Sequence, residues 1–110
     1  MRVAVIGSRT LSIAGLGGYL PEGVTEIVSG GARGVDTSAR QYAQAHQLKL
    51  TEFLPEYALF GRSAPIKRNV TIIENADLVR AFWVGKSRGT AFVIVECKKC
   101  GIPVKVYMHK

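Results

Sequence analysis

The residues best suited to chemistry fall into four short runs. Gly7-Ser8-Arg9-Thr10 follows the apolar run Val3-Ala4-Val5-Ile6. Glycine lets a chain turn tightly and approach a ligand, Ser8 offers a hydroxyl and Arg9 a cation. Ser29-Gly30-Gly31-Ala32-Arg33-Gly34-Val35-Asp36 places three glycines ahead of a helical pattern. Backbone N–H groups at a helix start, and the dipole behind them, favour an anion there. The adjacent Gly30 and Gly31 do not spell the dinucleotide G-x-G-x-x-G, and no Gly-Lys-Ser/Thr of a Walker loop follows. The plainer reading makes Asp36 a helix cap and the glycines a turn.

The third run is Gly61-Arg62-Ser63, leading into Ile66-Lys67-Arg68-Asn69. Arg68 can grip a phosphate through a forked pair of hydrogen bonds, and Asn69 carries both a donor and an acceptor for a base or ribose. The fourth is Gly85-Lys86-Ser87-Arg88-Gly89-Thr90, again just before a helical pattern, where Gly89 and Thr90 would form a second anion seat. Together the runs gather seven cations, Arg9, Arg33, Arg62, Lys67, Arg68, Lys86 and Arg88, against two acids, Asp36 and Glu56. The candidate nucleotide- or phosphate-binding residues are thus Gly7, Ser8, Arg9, Ser29, Gly30, Gly31, Arg33, Gly34, Asp36, Arg62, Arg68, Asn69, Gly85, Ser87, Gly89 and Thr90. No catalytic residue is assigned.

These runs need a scaffold that brings them to one place. Apolar β-branched segments recur at Val3–Ile6, Glu26–Val28, Lys49–Leu54, Leu78–Val84 and Pro103–Tyr107. Several are continuous rather than alternating, as in strands buried on both faces of a parallel sheet. Helical spacing lies between them: Val35, Ala39, Tyr42, Ala43 and His46, then Ile66, Val70, Ile73 and Ala76, then Ala91, Ile94 and Val95 within Thr90–Lys99. Gly-rich Leu11–Leu20 suits a short or irregular helix. Alternating strands and helices predict an α/β fold, a Rossmann-like three-layer sandwich with a mainly parallel five-stranded sheet. The order of the strands does not follow from the sequence; a doubly wound order with its switch point beside the first strand is the expectation. The four runs would then share the carboxyl edge of the sheet, where such folds bind ligands.

Composition bounds the rest. The 110 residues suit one domain, 1–110, and 47% are hydrophobic, enough for a core. The formal charge of +7 favours anionic partners: nucleotides, nucleic acid or an acidic surface. The start Met1–Ile6 has no signal-peptide pattern and no apolar run reaches a membrane span, so a cytoplasmic protein without a membrane partner is expected. Cys97 and Cys100 form a lone C-x-x-C near a helix end, and His46 and His109 are isolated. They read as ordinary thiols and imidazoles, with no metal set. Of Phe82 and Trp83, one is expected in the core and the other partly exposed; either can stack on a base.

Over nearly the whole chain the combined motifs resemble the SLOG superfamily. They are Ser29 to Asp36, Gly61 to Asn69, Ala81-Phe82-Trp83 and Ser87-Arg88-Gly89-Thr90. The closest likeness is to its small stand-alone YspA/YpsA-related bacterial and phage-associated members. The superfamily includes the lonely-guy phosphoribohydrolases and DNA-processing protein A. The resemblance implies a Rossmann-like domain that binds or senses a nucleotide or nucleotide-derived ligand, with no settled reaction; no cofactor beyond that ligand is assigned. Self-association into a homo-oligomer through helix faces is a family trait. The phosphoribohydrolases carry glutamates just after their Gly-Thr, whereas here no acid follows Thr90 until Glu96. Two alternatives stand beside ligand sensing: a nucleotide-processing hydrolase cutting an N-glycosidic or phosphate bond, and single-stranded DNA binding.

Overall fold

A computed structural model describes residues 1–86 and 88–109. Among them, five strands form one sheet: β1 (Arg2–Gly7), β2 (Glu26–Ser29), β3 (Lys49–Glu52), β4 (Leu78–Trp83) and β5 (Val104–Met108). Every pairing is parallel and the order is β3-β2-β1-β4-β5. The central strand β1 is buried from Val3 to Ile6 on both faces, which explains its unbroken apolar run. Its side chains alternate, so Val3 and Val5 enter one core layer and Ala4 and Ile6 the other.

The first layer is closed by α1 (Val35–Ala45) through Val35, Ala39 and Ala43, and by a single 3-10 turn at Leu16–Tyr19. Phe82 lies fully buried here, edge-on to Tyr19 and stacked on Tyr107 at 5.1 Å between ring centres. The second layer is closed by α3 (Ala64–Glu74) and α4 (Arg88–Cys100). The architecture is the expected α/β three-layer one, with helices on both faces. A one-turn helix, α2 (Tyr57–Phe60), and a 3-10 turn (Gly61–Ser63) interrupt the expected long connection before α3.

Two helices are turned differently from their apolar spacing. In α3 the buried residues are Ala64, Asn69, Ile72 and Ile73, while Ile66 is 49% exposed. The cause is a hydrogen-bond anchor: Arg68 reaches the carbonyl of Gly30 at 2.7 Å and draws the 64–68–72 stripe over the sheet. In α4 the buried stripe is Thr90, Val93 and Cys97, and Val95 is 51% exposed. Thr90 and Cys97, polar and small, are the residues that fit against the neighbouring layer. Cys97 is buried and Cys100 exposed, both as free thiols.

The chain leaves β1 towards the α1 face and leaves β4 towards the α4 face. The loops after these neighbouring strands therefore diverge and open a crevice at the carboxyl ends, the switch point of the sheet.

Candidate functional site

The crevice is a cleft of about 560 Å³. Of the residues expected at a ligand site, Gly7, Ser8, Arg9, Gly30, Asp36, Arg68, Asn69, Gly89 and Thr90 line it. Ile6, Ile72, Val84, Val93 and Pro65 give it apolar walls, and Lys86 a further cation.

Ser8 holds the parts together. Its N–H donates to the carbonyl of Phe82 at 3.1 Å, its carbonyl accepts from Val35 N–H at 3.3 Å, and its hydroxyl accepts from Val84 N–H at 3.4 Å. One buried residue thus joins β1, β4 and the start of α1. Gly7 lets them approach: a Cβ there would lie 2.5 Å from Val35 Cγ2 and strike the carbonyl of Phe82. Gly34 caps α1 with φ 71°, a left-handed conformation, and a Cβ would meet the carbonyls of Ser8 and Arg9 at 2.5 Å.

The Gly-rich loop is closed on itself rather than opened as an anion cradle. Ala32 N–H donates to Asp36 Oδ2 at 3.1 Å, Gly31 N–H to Ser29 Oγ at 3.5 Å and Val35 N–H to Ser8 O. Three amides that would face an anion are already used. Asp36 is not the helix cap; it lies one residue inside α1, 7% exposed, and its carboxylate gathers the loop. Burial raises its pKa above the usual 3.8, opposed by the Ala32 N–H, the Arg68 charge and the Ser29 hydroxyl.

Arg68 is fixed at three points. Its Nη1 donates to Gly30 O at 2.7 Å and to Phe53 O at 3.5 Å, and its Nε to Asn69 Oδ1 at 2.8 Å. The Nε side of the expected fork is thus spent on Asn69, and Nη2 is the nitrogen these bonds leave over. Burial lowers the Arg68 pKa, countered by Asp36. It stays a cation.

Other expected residues lie elsewhere. Gly31 and Arg33 line a smaller adjoining pocket of about 240 Å³ with Leu54 and Pro55, which shares Arg9, Gly30, Ala32 and Arg68 with the cleft. Ser29 lies buried beneath the loop. Arg62 stands exposed on the 3-10 turn before α3 and does not line the cleft. Gly85 makes a turn with φ 87° near Met108. Glu56 and Lys67 line a separate groove with Phe60, and Lys67 Nζ sits 5.9 Å from that ring. Arg88 is exposed, and Trp83 is half-buried outside the cleft lining. Ser87 lies outside the described residues. Thr10, Lys86 and Ala32 complete the lining without having been assigned to the site. Lys86 was legible as part of the cationic run before α4.

Fold and cleft define a Rossmann-like α/β domain with a cation-edged crevice at its switch point. The chain is 34% identical over 84 residues to the Gene 61 protein of Mycobacterium phage D29, a match spanning 71% of this chain and 67% of that protein. It belongs to the family of that phage protein. No family model and no solved structure matches the chain. Among the described residues no helix is long and apolar enough to cross a membrane.

Proposed function

We propose that the protein is a SLOG-type domain that binds a nucleotide or nucleotide-derived ligand in the switch-point cleft. The observation that carries this reading is the convergence on one cleft of the loops after β1, β2 and β4 and the start of α3. They bring Arg9, Arg68 and Lys86 beside apolar walls of Ile6, Ile72, Val84 and Val93. A ligand with an anionic part and a flat apolar part suits such a lining, and about 560 Å³ is room for a mononucleotide. The adjoining pocket, which shares Arg9 and Arg68, extends the cleft towards Arg33 and Leu54 and leaves space for a longer ligand. The start of α4, with Gly89 and Thr90 in the lining, adds helix-end N–H groups favourable to phosphate. Binding or sensing suits the site better than hydrolysis, because among the described residues of the lining Asp36 is the one carboxylate, whereas glycosidic cleavage ordinarily uses a pair.

The test is a thermal-shift screen with adenine and guanine mononucleotides and ADP-ribose, on the wild type and on Lys86→Ala. Lys86 is exposed, so the substitution leaves the fold intact. Stabilisation of the wild type by several degrees, reduced in the variant, is expected. No shift with any of these ligands, alongside salt-sensitive binding of single-stranded DNA, would replace this reading with nucleic-acid binding.

A further inference from the structure

The sheet ends in two edge strands, β3 and β5, and their charges differ. At the β3 edge the charges neutralise one another: Lys49 pairs with Glu26 at 3.7 Å and Glu52 with Arg40 at 2.9 Å. At the β5 edge they do not. Lys105 lies in register with Arg80 of β4, so the two cations stand side by side on one face of the sheet, where like charges repel. Arg80 Nε donates to Tyr19 O at 3.0 Å, and Lys105 Nζ sits 5.4 Å from the centre of the Tyr107 ring. Among the described residues neither cation has a carboxylate within 4.0 Å. The last turn of α4 adds an exposed Lys98 close to the start of β5, where Ile102 N–H donates to Cys97 O at 2.9 Å.

The backbone of β5 is half used. Val79 N–H donates to Pro103 O at 2.9 Å, and His109 N–H donates to Trp83 O at 2.8 Å. In a parallel ladder with this register, the groups of β5 turned towards β4 between those two bonds belong to Lys105 and Tyr107. The N–H and C=O groups of Val104, Val106 and Met108 therefore point away from β4, along the open edge. Their side chains lie on the α4 side of the sheet, with Val104 and Val106 half-buried and Met108 63% exposed. Lys105 and Tyr107 lie on the other side.

We propose that β5 is a docking edge that takes an extended acidic segment of a partner protein as an added strand. The backbone of that segment bonds the outward groups of Val104, Val106 and Met108. Its residues alternate between the two faces of the sheet. Those on the α4 side meet Val104, Val106 and Met108, which favours β-branched apolar side chains. Those on the other side meet Lys105, which favours Asp or Glu, since a carboxylate there neutralises the cation that the fold leaves unpaired. The same charge decides against a second copy of this chain: laying one β5 against another brings Lys105 and Arg80 of one chain towards those of the other. β5 contributes no residue to the cleft lining, so the inference does not depend on what the cleft binds.

Titration of the ¹⁵N-labelled protein with three acetylated and amidated hexapeptides tests this: Glu-Val-Glu-Val-Glu-Val, Lys-Val-Lys-Val-Lys-Val and Glu-Glu-Glu-Val-Val-Val. The wild type is expected to bind the alternating acidic peptide about fivefold or more tightly than the basic one, the worth of one charge pair at contact distance in water. It is also expected to prefer it to the block peptide, which cannot sort its charges and apolar groups onto two faces. In the complex, amide hydrogen exchange is expected to slow at Val104, Val106 and Met108. The amides of Lys105 and Tyr107, already in the ladder, exchange slowly with or without peptide. Lys105→Glu changes an exposed side chain and leaves the ladder intact, and it is expected to lose the preference for the acidic peptide. Equal binding of the acidic and basic peptides, or binding of neither, overturns the inference. So does acidic binding without the alternating protection, which marks a solvated cationic patch and not an added strand. Protection of Val104, Val106 and Met108 that rises with protein concentration in the absence of peptide gives the edge to a second copy instead and overturns it as well.

Discussion

Gly30→Ala isolates the device on which the cleft depends. Gly30 is not among the glycines with positive φ, so alanine suits its backbone and only the new methyl matters. That methyl would lie 2.5 Å from Arg68 Nη1 and 2.9 Å from Cζ. Real Cβ atoms do not approach so closely, and the guanidinium must move. Moving it breaks the 2.7 Å bond to Gly30 O and weakens the bonds to Phe53 O and Asn69 Oδ1. A hydrogen bond to a charged group contributes about 1.5–3 kcal/mol. Arg68 is half-buried and can swing towards water, so the net cost sits near the lower end, about 1–2 kcal/mol. For a domain of this size that is a fall in Tm of roughly 5–10 °C. Urea denaturation of Gly30→Ala, Arg68→Ala and the double variant closes the cycle. With the guanidinium absent the two closest approaches are gone, and the next is Asp36 Oδ2 at 3.0 Å. The two costs should therefore not add, with a coupling of about 1 kcal/mol or more. Strict additivity would refute the placement of Arg68 over Gly30.

Three further outcomes follow from the same geometry. Gly34→Ala should cost about 3 kcal/mol or more, because φ 71° is strained for alanine and the carbonyls of Ser8 and Arg9 cannot withdraw; urea midpoints measure it. Asp36 holds its proton more tightly folded than unfolded, so its contribution is full below pH 3.8 and lost as pH rises through the higher folded value. Arg68 and Arg9 face the same space and Glu52 lies behind it, so the comparison is the urea midpoint of the wild type minus that of Asp36→Asn across this window. The difference should decline with rising pH, and a rising difference would reverse the assigned cause. Burial pushes the Cys97 thiol up to about 11, so iodoacetamide at pH 8 should label exposed Cys100 first and Cys97 only on unfolding, as read by mass spectrometry.

The sheet was legible because burial on both faces leaves a continuous apolar signature, as in Val3–Ile6. The order of the strands does not follow from the sequence; the expected switch point beside the first strand rested on the habit of doubly wound folds, and the observed order has it there. The rotation of α3 was not legible. Ile66 is apolar yet half exposed, and Asn69 is polar yet buried, because Asn69 accepts the Arg68 Nε–H. A hydrophobic pattern carries no record of a polar residue buried for its hydrogen bond. Thr90 in α4 is likewise polar and buried. The loops named in the sequence do reach one cleft, but its walls come from core residues such as Ile72 and Val93 that no loop motif marks. Arg62 and Arg68 look like one cluster along the chain, and a single extra turn of 3-10 helix parts them. Nor did three glycines announce an open anion cradle: the acceptors that close it, Asp36 Oδ2, Ser29 Oγ and Ser8 O, come from a helix and two different strand ends.

The central claim is that a nucleotide occupies the switch-point cleft, and amide chemical-shift mapping tests it most directly. In a titration of the ¹⁵N-labelled protein with adenosine 5′-monophosphate, saturable shifts are predicted at Gly7, Gly30, Asn69, Gly89 and Thr90, the backbone that lines the cleft. Shifts confined to the basic end of α4 at Lys98 and Lys99, or no saturable shifts at all, would contradict it.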